Sequence, residues 1–155
     1  MILEPGHWVG RGSYRPVGET LGCGVEVDFE ITEEEAGKLI AARVESQDGA
    51  ELGLTIWVVA DEVGTYSVSV RGGGVDVDGT AKLEAEPHLG LLWSEDGGTH
   101  ITFTLFEARD AIGLRGFSRA GKAVLTWEIA IYPRRNVVSG DNIVAFDARR
   151  PKPRG

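Results

Sequence analysis

Cysteine is all but missing from this chain, with Cys23 the single one. That excludes a disulfide framework and any multi-cysteine zinc site. Histidine is scarce as well: His7, His88 and His100, with none after residue 100. No apolar run approaches the roughly 20 residues of a membrane span. The opening Met1-Ile2-Leu3-Glu4-Pro5 has neither the charged nor the apolar region of a signal peptide, so a cytoplasmic protein is expected. Motifs of chemistry are missing too. No Gly-x-Ser-x-Gly nucleophile turn occurs, and no acid–base pair has a spacing that demands catalysis. Gly72-Gly73-Gly74 lacks the lysine and following helix of a phosphate loop and reads as a hairpin. Glu33-Glu34-Glu35 lacks the spaced oxygen ligands of a calcium loop and reads as a solvated turn.

What is present is a chain of 155 residues, enough for one domain with a substantial core. Glycine is abundant at 22 residues, roughly twice the usual share. The net charge of −8 is unevenly spread. Nearly all acidic side chains lie before residue 134, and such an acidic body repels phosphate, which argues against nucleic acid as a partner. The basic segment Arg149-Arg150-Pro151-Lys152-Pro153-Arg154 reads as a solvated C-terminal tail over 148–155. A contact between that tail and an acidic partner is the alternative. A single domain is expected over 1–147.

The dominant pattern has period two, which means strands with one apolar face. Cys23, Val25, Val27, Phe29 and Ile31 alternate with Gly24, Glu26, Asp28 and Glu30. Similar stripes run through 52–60, 65–70, 75–78, 81–86, 100–105 and 123–131, with weaker strands at 7–15, 89–94, 111–119 and 143–147. Turn signals such as Gln47-Asp48-Gly49, Asp78-Gly79 and Asp96-Gly97-Gly98 separate them. Many strands joined by short turns make an antiparallel meander, and about 8–10 strands close most readily into an up-and-down barrel. The stretch 33–44 leaves two readings open. Thr32-Glu33-Glu34-Glu35 has the form of a helix capping box, whereas Gly37 favours a hairpin at 33–37 followed by a strand.

The stretch His7-Trp8-Val9-Gly10-Arg11-Gly12-Ser13-Tyr14-Arg15 places Trp8, Gly10, Gly12 and Tyr14 on one face of a strand. Either the two rings plug a core and the glycines admit neighbouring groups, or the gap between the rings helps to form a cavity. Gly6-His7-Trp8 resembles the Gly-x-Trp that opens the first strand of lipocalins and other calycin barrels. The longer Trp8-x-Gly10-x-Gly12-x-Tyr14 resembles the opening of the nitrobindin-like heme-binding barrels. The lipocalin resemblance implies a late arginine packed across the first-strand tryptophan, for which Arg115 is the candidate and Arg119 the runner-up. The nitrobindin resemblance implies heme held by a histidine on a late strand, and this sequence has no histidine there. By alternation His7 and His100 fall on polar faces, and His88 falls at a turn after Pro87, so all three are expected at the surface.

Trp8, Tyr14, Phe29, Tyr66, Trp93, Phe103 and Trp127 are all expected to face inward. An aromatic interior of this kind suits a small apolar or amphipathic ligand, though solid core filling accounts for the same pattern. Arg115 would brace the closed end or meet an acid group of the ligand. Glu128 suits a structural ion pair with Arg115 or Arg119. The expectation is a non-enzymatic ligand-binding barrel, its partner a small hydrophobic molecule and its cofactor undetermined. A nitrobindin-like heme or nitrogen-oxide binder, a barrel-interior enzyme, an interaction module and a homodimer stay open beside it.

Overall fold

The computed structural model describes residues 1–134. Ten strands run in order: β1 (Gly6–Pro16), β2 (Cys23–Glu34), β3 (Gly37–Ser46), β4 (Glu51–Ala60), β5 (Tyr66–Gly72), β6 (Val75–Lys82), β7 (His88–Trp93), β8 (Thr99–Ala108), β9 (Ala111–Ala120) and β10 (Ala123–Pro133). Each pairs antiparallel with its sequence neighbours, and β10 returns to pair with β1, so the sheet is a closed up-and-down barrel. The expected all-β barrel is what forms. The strand foreseen at 143–147, the basic tail and the domain boundary at 147 lie outside the described residues.

Of the two readings of 33–44, the hairpin holds. β2 continues to Glu34, the chain turns at Glu35-Ala36, and β3 begins at Gly37. The capping-box pattern loses because Ile40, Ala42 and Val44 pair with Ile31, Phe29 and Val27. A helix would give up that apolar register.

Turns are built from local chemistry. Gly73 and Gly74 both have positive φ, as a two-residue hairpin matched to strand twist requires. Ser46-Gln47-Asp48-Gly49 and Ser94-Glu95-Asp96-Gly97 are two copies of one device. In each, the serine hydroxyl donates to the aspartate, whose carboxylate also accepts the amide of Ala50 or Gly98. Ser46 and Asp48 thus hold one hairpin, and Ser94 and Asp96 the other.

The two ends of the barrel differ. At the end where β1 begins, Leu3, Trp8, Ile31, Val58, Leu83 and Ile131 are buried, and Met1 and Ile2 pack against them. Trp8 donates its indole N–H to the Glu4 carbonyl at 2.9 Å, which folds the N-terminal segment under the barrel. This end is closed. At the other end the inward side chains Tyr14, Val44, Leu54, Ile101 and Trp127 are only partly buried. The outer wall of β1–β4 is laced with ion pairs, among them Arg11–Glu26 and Arg43 with Glu45 and Glu51. Along β1–β4 the inward face is thus mainly apolar and the outward face carries these charges. No helix of the described residues is long and apolar enough to cross a membrane.

Candidate functional site

Ten strands spaced about 4.8 Å apart and tilted about 40° enclose a cylinder about 20 Å across, wider than the eight-strand barrels that side chains fill. Whether space is left depends on how the inward rings lie. The residues on one register row answer this. Gly90 pairs with Phe103, Phe103 with Gly116, Gly116 with Trp127, Trp127 with Tyr14, and Tyr14 with Cys23. The Phe103 ring rests on the bare backbone of Gly90. A Cβ placed on Gly116 would stand 2.5 Å from Cζ2 of Trp127. Both rings therefore lie along the wall instead of across the lumen, with glycine providing the seat. Phe103 and Trp127 remain partly exposed, as do Leu114 beside them on β9 and Ala42, Leu54 and Ile56 on β3 and β4.

Polar groups gather where this row reaches the open rim. Hydrogen bonding to the Cys23 thiol, then burial and the Asp48 carboxylate, push the Tyr14 phenol above its ordinary pKa. Ser46, on the next strand, hydrogen bonds Asp48. That bond and the Ala50 amide hold Asp48 below the usual carboxylate range. The rim thus offers a phenol, a thiol and a hydroxyl beside an ionised carboxylate. Deeper in, the inward positions are uncharged until the closed end, where Lys38 and Glu33 form their own pair at 2.5 Å.

Several expected site residues are elsewhere. Trp8 and Phe29 are cross-strand partners stacked 6.2 Å apart at 5°, and both are buried at the closed end. Gly10 admits Ile131 and Val27 side chains, and Gly12 admits the β10 backbone at Glu128 and Ile129. The gap between the first-strand rings is therefore filled, and of that quartet only Tyr14 borders the lumen mouth. Tyr66 faces inward on the closed-end half of the barrel, opposite Ala81.

Three expectations are corrected. Trp93 points outward and is 47% exposed. On β7 the inward set is His88, Gly90 and Leu92 because Gly90 must seat Phe103. The same alternation turns His88 inward: it is 7% exposed, and its Nδ1 lies 3.1 Å from the Leu83 carbonyl. A carbonyl only accepts, so Nδ1 carries the proton. Arg115, finally, is on the outer wall, since its neighbour Leu114 takes the inward position. It donates to Glu128 at 2.8 Å and covers the Phe106 ring at 4.9 Å. It meets neither Trp8 nor the lumen. The ion pair foreseen for Glu128 is the one that forms.

A heme site does not fit these residues. The inward positions of β9 and β10 carry Ile112, Leu114, Gly116, Ser118, Leu125, Trp127, Ile129 and Ile131, none a histidine. His88 is packed into the closed-end layer beside Leu83 and Leu105. His7 faces outward and bonds Asp28, and His100 is exposed. Among the described residues no group of His, Cys, Asp and Glu is arranged to hold a metal ion.

Two depressions of about 410 and 460 Å³ also occur, one lined by Arg11, Gly12, Gly24, Val25, Glu26, Glu45, Ser46 and Gln47, the other by Ser13, Arg15, Gly22, Arg115, Gly116, Thr126, Trp127 and Glu128. Their linings mix outer-wall charges with the inward residues Val25 and Ser46 in the first and Gly116 and Trp127 in the second, so the second borders the same Trp127–Gly116 seat. Sequence reasoning missed Ser46 and the small inward residue Ala42. The repeated Ser-x-Asp-Gly at 46–49 and 94–97 was the available signal for the first. Comparison of the chain with family models, with curated proteins and with solved structures finds no match.

Proposed function

We propose that the barrel is a non-enzymatic binder of a small apolar or amphipathic molecule, of the calycin kind, acting in the cytoplasm. The observation that carries this reading is the seating of Phe103 on Gly90 and Trp127 on Gly116. A core built only for stability gains by sending large rings across the interior, because filled volume stabilises. Here two rings are laid against the wall, and the lining between rim and closed end is uncharged. The apolar body of the ligand would lie along Phe103, Trp127, Leu54 and Ile56. Its polar head would stay at the rim, within reach of the Tyr14 hydroxyl and Ser46.

The one inward imidazole, His88, is packed into the closed end beside Leu83 and Leu105, away from the Phe103 and Trp127 row, which weighs against acid–base catalysis at that row. The N-terminal resemblance to calycins supports the reading through the closed barrel and the buried first-strand tryptophan. It does not extend to a late arginine over that tryptophan.

Titration with fatty acids, fatty alcohols and polycyclic aromatics, followed by tryptophan fluorescence, tests the proposal. At least one class is expected to give a saturable change. Ala42→Phe, which fills the lumen from the facing wall, is expected to weaken that binding at least about tenfold, or about 1.4 kcal/mol. No saturable response to any class, or an affinity unchanged in Ala42→Phe, sinks the proposal. Hemin added to the same protein is expected to give no Soret band tied to a single histidine.

A further inference from the structure

One sector of the outer wall, centred on β7, is unlike the rest. β1–β4 carry alternating charges, paired across strands. On β7, in contrast, all the outward positions between the ends are apolar: Leu89, Leu91 and Trp93, with Leu91 48% exposed. Register extends this sector sideways. The row through Leu91 reads Ser67, Thr80, Leu91, Thr102, Phe117 and Thr126, six strands without a charge, and Phe117 is exposed as well. The sector is uncharged, with exposed Leu89, Leu91, Trp93 and Phe117 set among threonines, and exposed apolar side chains gathered in this way mark an interaction surface. Aromatic enrichment with charge kept to the rim is the composition of an interface core.

The rim indicates what covers it. The row above reads Asp78, Trp93, His100 and Arg119 on β6, β7, β8 and β9. An acid and a base thus stand at equal distances on either side of the line between β7 and β8. Asp78 already accepts bonds of 2.9 and 3.0 Å from Arg71, so an arginine of a second copy would share this carboxylate. We propose that this face binds a second copy of this chain, about a two-fold axis running along the strands between β7 and β8. That operation lays β6 of one copy over β9 of the other. Asp78 then faces Arg119 twice, Leu91 meets Thr102, and Thr80 meets Phe117. An isologous interface needs this kind of self-complementarity. The row below sets the cation of Lys82 over Arg115, a like-charge contact that the Glu128 carboxylate offsets. Lys82 is turned to the carbonyls of Ala85 and Glu86, and Arg115 is neutralised by Glu128.

Four strands about 4.8 Å apart and three outward residues per strand at a repeat of about 6.8 Å give a footprint of roughly 400 Å². A standard interface buries about 800 Å² per partner, so the dimer belongs to the small, concentration-dependent class.

Sedimentation velocity of the full chain over a range of micromolar concentrations tests this, with circular dichroism confirming the fold of each variant. The wild type is expected to pass from monomer to dimer as concentration rises, with the Trp93 emission shifting to the blue. Leu91→Glu, Asp78→Arg and Arg119→Asp should each remain monomeric over that range. Mixing the last two should restore association, because both rim contacts then pair opposite charges. A wild type that stays monomeric overturns the proposal. So does a dimer that survives Leu91→Glu, or a failure of the two charge variants to associate when mixed.

Discussion

Trp127 of β10 lies over Gly116 of β9, its cross-strand partner, and the glycine is what lets the indole hug the wall. A side chain at 116 would meet both the indole and the Thr102 carbonyl. Gly116→Val is therefore expected to push the indole into the lumen and to shift β9 locally away from the Thr102 carbonyl of β8. Overpacking of this kind costs about 1–3 kcal/mol. The same variant should lose the ligand response while circular dichroism still reports a sheet. Equal affinity in Gly116→Val and wild type would contradict the role given to this pair.

At the closed end the expected outcome is the opposite. Trp8 is buried, stacked on Phe29 and bonded to Glu4. Trp8→Ala should destabilise the barrel by about 3–5 kcal/mol, the usual cost of removing a large buried ring. Under conditions where the variant stays folded, ligand affinity should change little. Denaturant midpoints and the fluorescence titration separate the two effects.

Arg115 provides a control. Its guanidinium and the Glu128 carboxylate are both more than half exposed on the outer wall. Exposed pairs contribute about 0–1 kcal/mol. Arg115→Ala should therefore leave both stability and lumen binding nearly unchanged. A marked loss of affinity for a ligand carboxylate would return Arg115 to the lumen and refute its placement here.

Acid should loosen the hairpins at both ends of the barrel. Hydrogen bonds from Ser46, Thr65 and Ser94 hold Asp48, Asp61 and Asp96 below the ordinary carboxylate range. A carboxylate whose pKa is depressed on folding stabilises the fold fully above its unfolded value, about 3.9, and loses that contribution as pH falls toward the folded value. The wild type should lose stability progressively below about pH 4. The triple variant Asp48→Asn, Asp61→Asn, Asp96→Asn should show a shallower acid limb in urea midpoint against pH. Parallel curves for the two proteins would show that these turns do not carry the acid sensitivity.

The architecture was legible because apolar and charged residues alternate cleanly along most strands, as in Val25 to Ile31. It was least legible on β7, where Leu89, Leu91 and Trp93 are as apolar as His88, Gly90 and Leu92. Alternation then gives two sets and no preference between them, and the tryptophan drew the assignment the wrong way. What decides the matter is non-local: Gly90 must face Phe103, a residue of the next strand. Arg115 shows a different limit. Its own alternation, with Leu114 inward, already placed it outside, and the lipocalin resemblance drew it toward the first-strand tryptophan. The rings of the first strand were recognised as a pair, but the neighbours that fill the space between them, Ile131 and Val27, come from strands on either side. Only the barrel brings those together.

The pairing of β1 with β10 joins Trp8 to Pro133, whereas every other pairing is between consecutive strands. Assembly can thus proceed as a succession of hairpins, with one distant encounter left for the end. A nascent chain that has emerged only as far as β9 carries two unsatisfied sheet borders, each a template for joining another polypeptide. Synthesis of the last dozen residues of the barrel is therefore the interval in which this protein most needs shielding from its neighbours.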